Sequence, residues 1–373
     1  MTKRSILHNH HLASGATLKT YGEWEMPGEY IGNEQEYQAV RERIGLFDLS
    51  CITKIKITGE SSLEFLEEVC TGNVSAMSEG KILNTLLCNE EGKIIAIIWL
   101  LMDEECFFIH SVAEKKRIIW EHINQYAQKY PEKGIKLEDV SESFGCLSVI
   151  GHKAIEIPKR LVSEDTIGLP YLGFEHGKID DIECLLCRYG YTGEYEYRFI
   201  IPNESLEKAW KRIEETGKEE GILKCGLDVL DIFMLEMKSV NQNRDILEDT
   251  TPLQAGLHWM IYFRKEAFIG KESIFEEKEK GIPRKLITIT LEDGQPLKEN
   301  TQILLDSEKI GFIVHSGYSP TLKKEIGMAY IESEYAWVGL EFEVETTTEK
   351  MRKLKTVSAP LFITKTVIVA QEG

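Results

Sequence analysis

The run from Cys187 to Pro202 reads C-R-Y-G-Y-T-G-E-Y-E-Y-R-F-I-I-P. Gly190 and Gly193 bracket Tyr191-Thr192, and the β-prone segment Tyr197 to Ile201 follows. Glycines at this spacing let a backbone turn tightly or approach another group closely. Such a turn presents Tyr191 and Glu194 to whatever lies in front of it. On these residues alone an ordinary glycine-containing hairpin is the favoured reading of the run.

The surrounding chain sets bounds. Its 373 residues exceed one ordinary domain, so two or three domains with ample core are expected. Hydrophobic residues make up 42% and charged ones 28%, the balance of a globular protein rather than a disordered one. The 62 acidic residues outnumber the 44 basic ones, giving a net charge of −18. That balance argues against nucleic acid or an anionic membrane as partner, since both require basic surface. It leaves room for a cationic pocket holding a small anion. The start, M-T-K-R-S-I-L-H-N-H-H, has no apolar run behind its charges, and Ile94 to Met102 is too short to span a bilayer. Of eight cysteines, Cys184 and Cys187 alone form C-x-x-C. Without a second pair, no metal site is expected, and reduced thiols in a cytoplasm are the simplest account. The cluster His8, His10 and His11 lacks the distant partners a ligand set needs.

Along the chain, Tyr21 to Gly28 reads as loop holding Trp24 and Met26. Asn33 to Arg43 reads as a helix capped by Asn33, with Tyr37, Val40 and Ile44 apolar. Thr53 to Thr58 alternates like a strand, and Ser61 to Val69 reads as a short helix. Lys81 to Asn89 and Lys93 to Leu101 are predicted to pair about Glu90-Glu91-Gly92. Further helices are predicted over Val112 to Lys129, Glu204 to Glu215 and Leu227 to Lys238, with a strand over Phe144 to Ile150. Beyond Lys285 the texture becomes short β runs: Leu286–Leu291, Gln302–Leu305, Gly311–Val314, Phe342–Val344 and Val357–Phe362. These predict a small barrel or sandwich, with Glu276 to Arg284 as its linker.

No P-loop, dinucleotide fingerprint, zincin helix or nucleophile elbow is present. Taken together, however, the landmarks resemble the glycine cleavage system T protein, or aminomethyltransferase, family. His11 to Ala16 and Gly22 to Pro27 resemble its opening segments, and Val40 to Ser50 its V-R-x-x-x-G-L-F-D-x-S. Arg188 to Glu194 matches R-x-G-Y-T-G-E. Asp245 through Thr251-Pro252 to Ala255-Gly256-Leu257 and Trp259, then Phe268 to Lys271 and Ser316 to Leu322, follow in order. The resemblance implies an α+β fold: a three-domain cloverleaf of the folate-binding type with a C-terminal β-barrel domain. Residues 1–275 would form two intertwined α+β domains, roughly 1–50 with 140–225 and 51–139 with 226–275, and residues 285–373 the barrel. It implies a funnel binding tetrahydrofolate, a small-molecule one-carbon donor, and a lipoyl carrier protein as candidate partner.

The departures from the family bear on chemistry. The family's Asp-Asp pair, whose first member is credited with catalysis, aligns with Ala96-Ile97, and isoleucine can accept neither a proton nor a hydrogen bond. A family asparagine aligns with His110, and the acidic residue that pairs with the pterin aligns with Arg198. Two helix arginines become Leu230 and Met234, an i,i+4 pair now read as core rather than ligand-facing. Tyr191, Glu194, Trp259, Tyr171 and Thr85 are retained as shape and stacking elements. His110 is then the candidate acid–base residue near pH 7. The leading expectation is a one-carbon, aminomethyl or methyl, transferase. A second reading keeps the fold but drops folate for an anionic substrate held by Arg198, which has its own alternative partners in Glu194 and Glu196. A third is a non-enzymatic assembly factor.

Overall fold

The computed structural model describes residues 2–291, 297–345 and 351–367. Residues 292–296, 346–350 and 368–373 of the expected barrel region therefore lie outside the described residues. An eleven-stranded sheet dominates the first three quarters of the chain. One side of it runs in the order Leu223–Lys224, Gly45–Asp48, Phe144–Ile150, Glu196–Pro202, Ile182–Arg188 and Gly173–Ile179. The other continues with Lys81–Cys88, Ile94–Met102, Phe107–Ser111, Thr53–Thr58 and Lys136–Asp139. The two sides meet where Gly173 pairs with Lys81, reinforced by the Ile82 N–H donating to the Leu172 carbonyl at 2.8 Å.

Helices cover the sheet by the 3.6-residue pattern visible in their sequences. Leu206–Gly217 buries Leu206, Ala209, Trp210 and Ile213 against Leu147 and Phe199. Lys116–Lys129 buries Ile119, Ile123 and Tyr126 against Ile55 and Leu100. The helix Val229–Met237 is apolar on nearly every side, because it is surrounded. Leu230 and Phe233 pack into the sheet core, while Leu235 joins Leu286 and Val314 beneath the barrel.

The barrel closes in the order Arg284–Leu291, Lys324–Glu332, Glu308–Ser319, Gln302–Leu305, Glu341–Glu345 and Met351–Val357. The last strand pairs back onto the first through Thr288 to Leu291, so no edge is left open among the described strands. Ile289, Ile303, Ile313, Val344 and Leu354 fill its interior.

The structure corrects several readings of the sequence. Trp24–Glu29 is a strand paired with Thr17–Tyr21, not a loop, and Pro27 sits within it. The expected linker is the end of a helix, Lys271–Lys280, which stops before Gly281. The last barrel strand is Met351–Val357, so Ser358 to Phe362 lies beyond it. Lys324–Glu332 was not foreseen because it is buried on both faces and shows no alternation. Asn33 begins its helix without capping it. Glu36 instead accepts from the N–H groups of Tyr30, at 2.6 Å, and Ile31, at 2.9 Å. Among the described residues, no helix is long and apolar enough to cross a membrane.

Candidate functional site

A cavity of about 510 Å³ opens between the sheet, the C-terminal end of the Val229–Met237 helix and the segment around Trp259. That volume lies in the usual range for small-molecule sites. Trp99 and Tyr191 form its inner wall, their ring centroids 5.9 Å apart, with Tyr171 and Trp259 toward the outside. Both outer rings are largely free, Trp259 at 61% exposure and Tyr171 at 58%, so their faces are available to a flat guest. The helix contributes Leu230, Met234 and Met237. The loop after it contributes Asn241, Gln242 and Asn243.

The turn that carries Tyr191 is built tightly. A β-carbon on Gly190 would collide with Glu196 Oε2. One on Gly193, whose φ is +76°, would collide with Met237 Sδ. The glycines therefore let the turn sit against the buried Glu196 and against the helix end. Ser239 fastens the arrangement, donating its hydroxyl to the Tyr191 carbonyl at 2.8 Å. Tyr171 donates to the Gly190 carbonyl at 3.0 Å.

Of the residues singled out in the sequence, the structure brings Tyr191, Trp259 and Tyr171 to this cavity. It takes the others elsewhere. Arg198 is buried behind the wall, where Nε and Nη2 both donate to Glu196 Oε1, at 2.9 and 2.5 Å. Its guanidinium lies 4.2 Å from the Tyr189 ring centroid, 5.4 Å from Trp99 and 5.6 Å from Tyr191, so three rings separate it from the cavity. Burial opposes its charge, but Glu196 and the two tyrosines hold its pKa well above the ordinary value. An anionic substrate held by Arg198 has no place in this geometry.

His110 is also absent from the cavity lining. Its Nδ1 lies 2.8 Å from the Tyr189 hydroxyl, and it faces a separate small apolar cavity of about 200 Å³ beside Lys54. Burial first, then the charges of Lys54 and Arg198, push its pKa well below the usual histidine value. The imidazole is neutral at pH 7, and no acid–base role at the main cavity follows for it.

Glu194 is a strut. It accepts from Arg41 Nη1 at 2.8 Å and from the Thr366 hydroxyl, while Arg41 Nη2 reaches Glu236 at 2.6 Å. Glu236 in turn accepts from Tyr37, at 2.7 Å, and from Ser319 of the barrel, at 2.5 Å. Thr85 is buried beneath the floor, accepting from the Gly72 N–H at 2.8 Å.

The substituted positions also need re-reading. Ala96 points into the core packed with Ile98 and Leu100, whereas its neighbour Ile97 faces the cavity. Neighbouring strand residues face opposite sides, and the pairing is regular from Ala96 onward. Leu230 is a buried member of the sheet core, as read, and also borders the cavity, while Met234 is partly buried on the lining.

Asn84 and Trp99 were not foreseen. They are direct cross-strand neighbours, and both line the cavity. Each keeps a buried polar atom without a partner among the described residues: Asn84 Oδ1 and Trp99 Nε1. Neither stands in a motif, and their partnership depends on register. Charged groups on the lining are Glu114, Asp231 and Lys238. Asp231 is engaged by Arg244 at 3.1 Å and Asn241 at 2.8 Å. Within the histidine cluster, His11 is held in place, spanning Asp48, at 2.9 Å, and the Tyr30 hydroxyl, at 2.7 Å.

The chain is an α+β body with a closed C-terminal barrel and an aromatic-walled cavity beside the connecting helix. Comparison with known proteins places it further. Residues 7–265 match the family model described as the GCVT N-terminal domain, and residues 284–362 match the glycine cleavage T-protein C-terminal barrel domain. The chain belongs to the glycine cleavage T-protein family. It is 33% identical over 345 residues to an aminomethyltransferase of Desulfitobacterium hafniense (strain Y51), covering 92% of this chain and 93% of the relative. It is 30% identical over 363 residues to one from Desulforamulus reducens, covering 96% and 98%. The fold is shared with the crystal structure of glycine cleavage system aminomethyltransferase T from Bartonella henselae. The TM-score there is 0.88 at 22% identity, over 98% of this chain and 99% of that one.

Proposed function

We propose that this chain is a one-carbon transferase that passes an aminomethyl- or methyl-level unit to a flat reduced pterin, tetrahydrofolate being the expected acceptor. The observation that carries this reading is the unfilled pair Asn84 Oδ1 and Trp99 Nε1 on the lining of an aromatic cavity of about 510 Å³. A buried acceptor beside a buried donor is costly unless a partner arrives, and the edge of a pterin offers both a donor and an acceptor. Trp99 and Tyr191 behind, with Tyr171 and Trp259 in front, supply faces for the ring. Bound there, tetrahydrofolate would supply the nitrogen nucleophile that accepts the carbon.

The chain's own chemistry differs from the family pattern. With Ile97 on the lining in place of a carboxylate, the carboxylates among the described lining groups are Glu114 and Asp231. Asp231 is occupied by Arg244 and Asn241, so Glu114 takes the acid–base place first given to His110. A lipoyl-bearing carrier protein is the donor this reading implies. The test is a transfer assay with a ¹³C-labelled aminomethyl donor and tetrahydrofolate, read by NMR. Appearance of the label on the pterin, lost in Trp99→Phe and reduced in Glu114→Gln, supports the reading. Absence of transfer with free or carrier-bound donor sinks it.

A further inference from the structure

The residue that ends the Val229–Met237 helix is Lys238, with φ +56° and ψ +34°. This left-handed conformation is natural for glycine and unfavourable for a residue with a β-carbon. The helix end is closed by the Ser239 N–H donating to the Met234 carbonyl at 2.9 Å, a geometry that glycine would complete equally well. A lysine here is therefore not required by the cap, and its side chain lines the cavity.

That side chain has no hydrogen bond or ion pair among the described residues. The titratable groups that share the lining are Glu114, Asp231, Cys51, Tyr21, Tyr171 and Tyr191. Asp231 is committed to Arg244, and the tyrosine hydroxyls carry no charge near neutrality. The lining around this end of the helix mixes apolar groups, Met234, Met237 and Trp259, with the amides of Asn241, Gln242 and Asn243. Burial lowers the Lys238 pKa from its ordinary value, and no neighbouring charge among the described residues offsets it.

An unpaired, partly buried lysine amine on a cavity lining is the arrangement that makes a nucleophile of this side chain. We propose that Lys238 is a reactive amine that condenses with a small unhindered aldehyde, holding its carbon in the cavity as an imine. The Nζ lone pair attacks the carbonyl carbon and the C–O π bond breaks, giving a carbinolamine. That intermediate loses its hydroxyl with a nitrogen-bound proton as water, leaving C=N. No oxidant or reductant takes part. The inference goes beyond pterin binding and does not depend on it.

The test uses the full chain with formaldehyde and cyanoborohydride, which reduces each imine to a stable methylamine. Per-lysine methylation is read by mass spectrometry of the digest. At pH 7, Lys238 is expected to be methylated faster than an exposed lysine such as Lys280, because a lowered pKa leaves more of the amine free. From pH 9 to pH 7 its rate should fall less than the roughly hundredfold loss of an ordinary lysine. Lys238→Gly, which suits the helix end, should remove that fast site and leave the others unchanged. Methylation of Lys238 at or below the rate of the exposed lysines overturns the proposal. Because no pterin is added, a failure here is distinct from a failure of folate binding.

Discussion

The Arg198 guanidinium and the Glu196 carboxylate meet two residues apart on one strand, Nη2 lying 2.5 Å from Oε1, with both side chains 2% exposed. Residues i and i+2 of a strand share a face, so this pair lies wholly on the side covered by Tyr189, Tyr191 and Trp99. Removing one partner strands the other charge in a dry site. Arg198→Met is therefore expected to destabilise the fold by about 3–5 kcal/mol. A double variant Arg198→Met/Glu196→Gln should recover a large part of it. Urea unfolding of the three proteins measures this. An Arg198→Met protein as stable as the parent would contradict the pairing.

The turn glycines respond for different reasons. Gly190→Ala pushes a methyl into the Glu196 carboxylate, while Gly193→Ala meets Met237 and must also hold φ +76°. Each is expected to cost about 1–3 kcal/mol. Gly193→Ala combined with Met237→Ala should retain only the backbone part of that loss. Thermal unfolding separates the two contributions.

Trp259 is largely exposed, so its removal tests binding rather than folding. Trp259→Ala should leave the unfolding free energy within about 0.5 kcal/mol of the parent. Loss of one stacking face should weaken a bound pterin by about 0.5–1.5 kcal/mol, up to roughly tenfold in Kd. Tryptophan fluorescence and calorimetry read both.

His110 has its pKa lowered in the fold, by burial and by the positive charges of Lys54 and Arg198. His122 is pushed down to about 4, chiefly by burial. Below an unfolded value of about 6.5, the unfolded chain takes up protons that these two rings refuse. Stability must then fall as pH drops beneath that value, and each ring's contribution levels off below its folded pKa. Each contributes up to about 1.4 kcal/mol per pH unit in that window. His110→Gln should show a shallower loss between about pH 6.5 and 5 than the parent. Equal slopes would mean that His110 titrates normally in the fold.

How much of this was legible in the sequence depends on the range of the interaction. The Leu206–Gly217 helix, the Lys81–Cys88 and Ile94–Met102 pair and the β texture of the barrel follow from local periodicity, which each segment carries in its own residues. The family landmarks pointed to Tyr191, Trp259 and Tyr171, and all three reach the cavity. Lys324–Glu332 was missed because burial on both faces removes alternation. Arg198 looked like either a ligand group or the partner of Glu194 or Glu196, and Glu194 like a ligand group, because a charge in a motif does not by itself select among partners. Their partners, Glu196 in one case and Arg41 with Thr366 in the other, are set by strand facing and by contacts across the chain. Asn84 and Trp99 acquire meaning through register alone. Which of Ala96 and Ile97 faces the cavity depends on what packs on each side of the sheet, which an apolar run such as Ile94 to Met102 does not announce.

The most direct test of the one-carbon reading is calorimetric titration of the full chain with tetrahydrofolate under anaerobic conditions. Saturable one-to-one binding is predicted. It should be weakened in Trp259→Ala and abolished in Trp99→Phe/Asn84→Ala, which removes the unpaired donor and acceptor together. No binding heat at ligand concentrations up to about 1 mM, a limit near −4.1 kcal/mol, would contradict it.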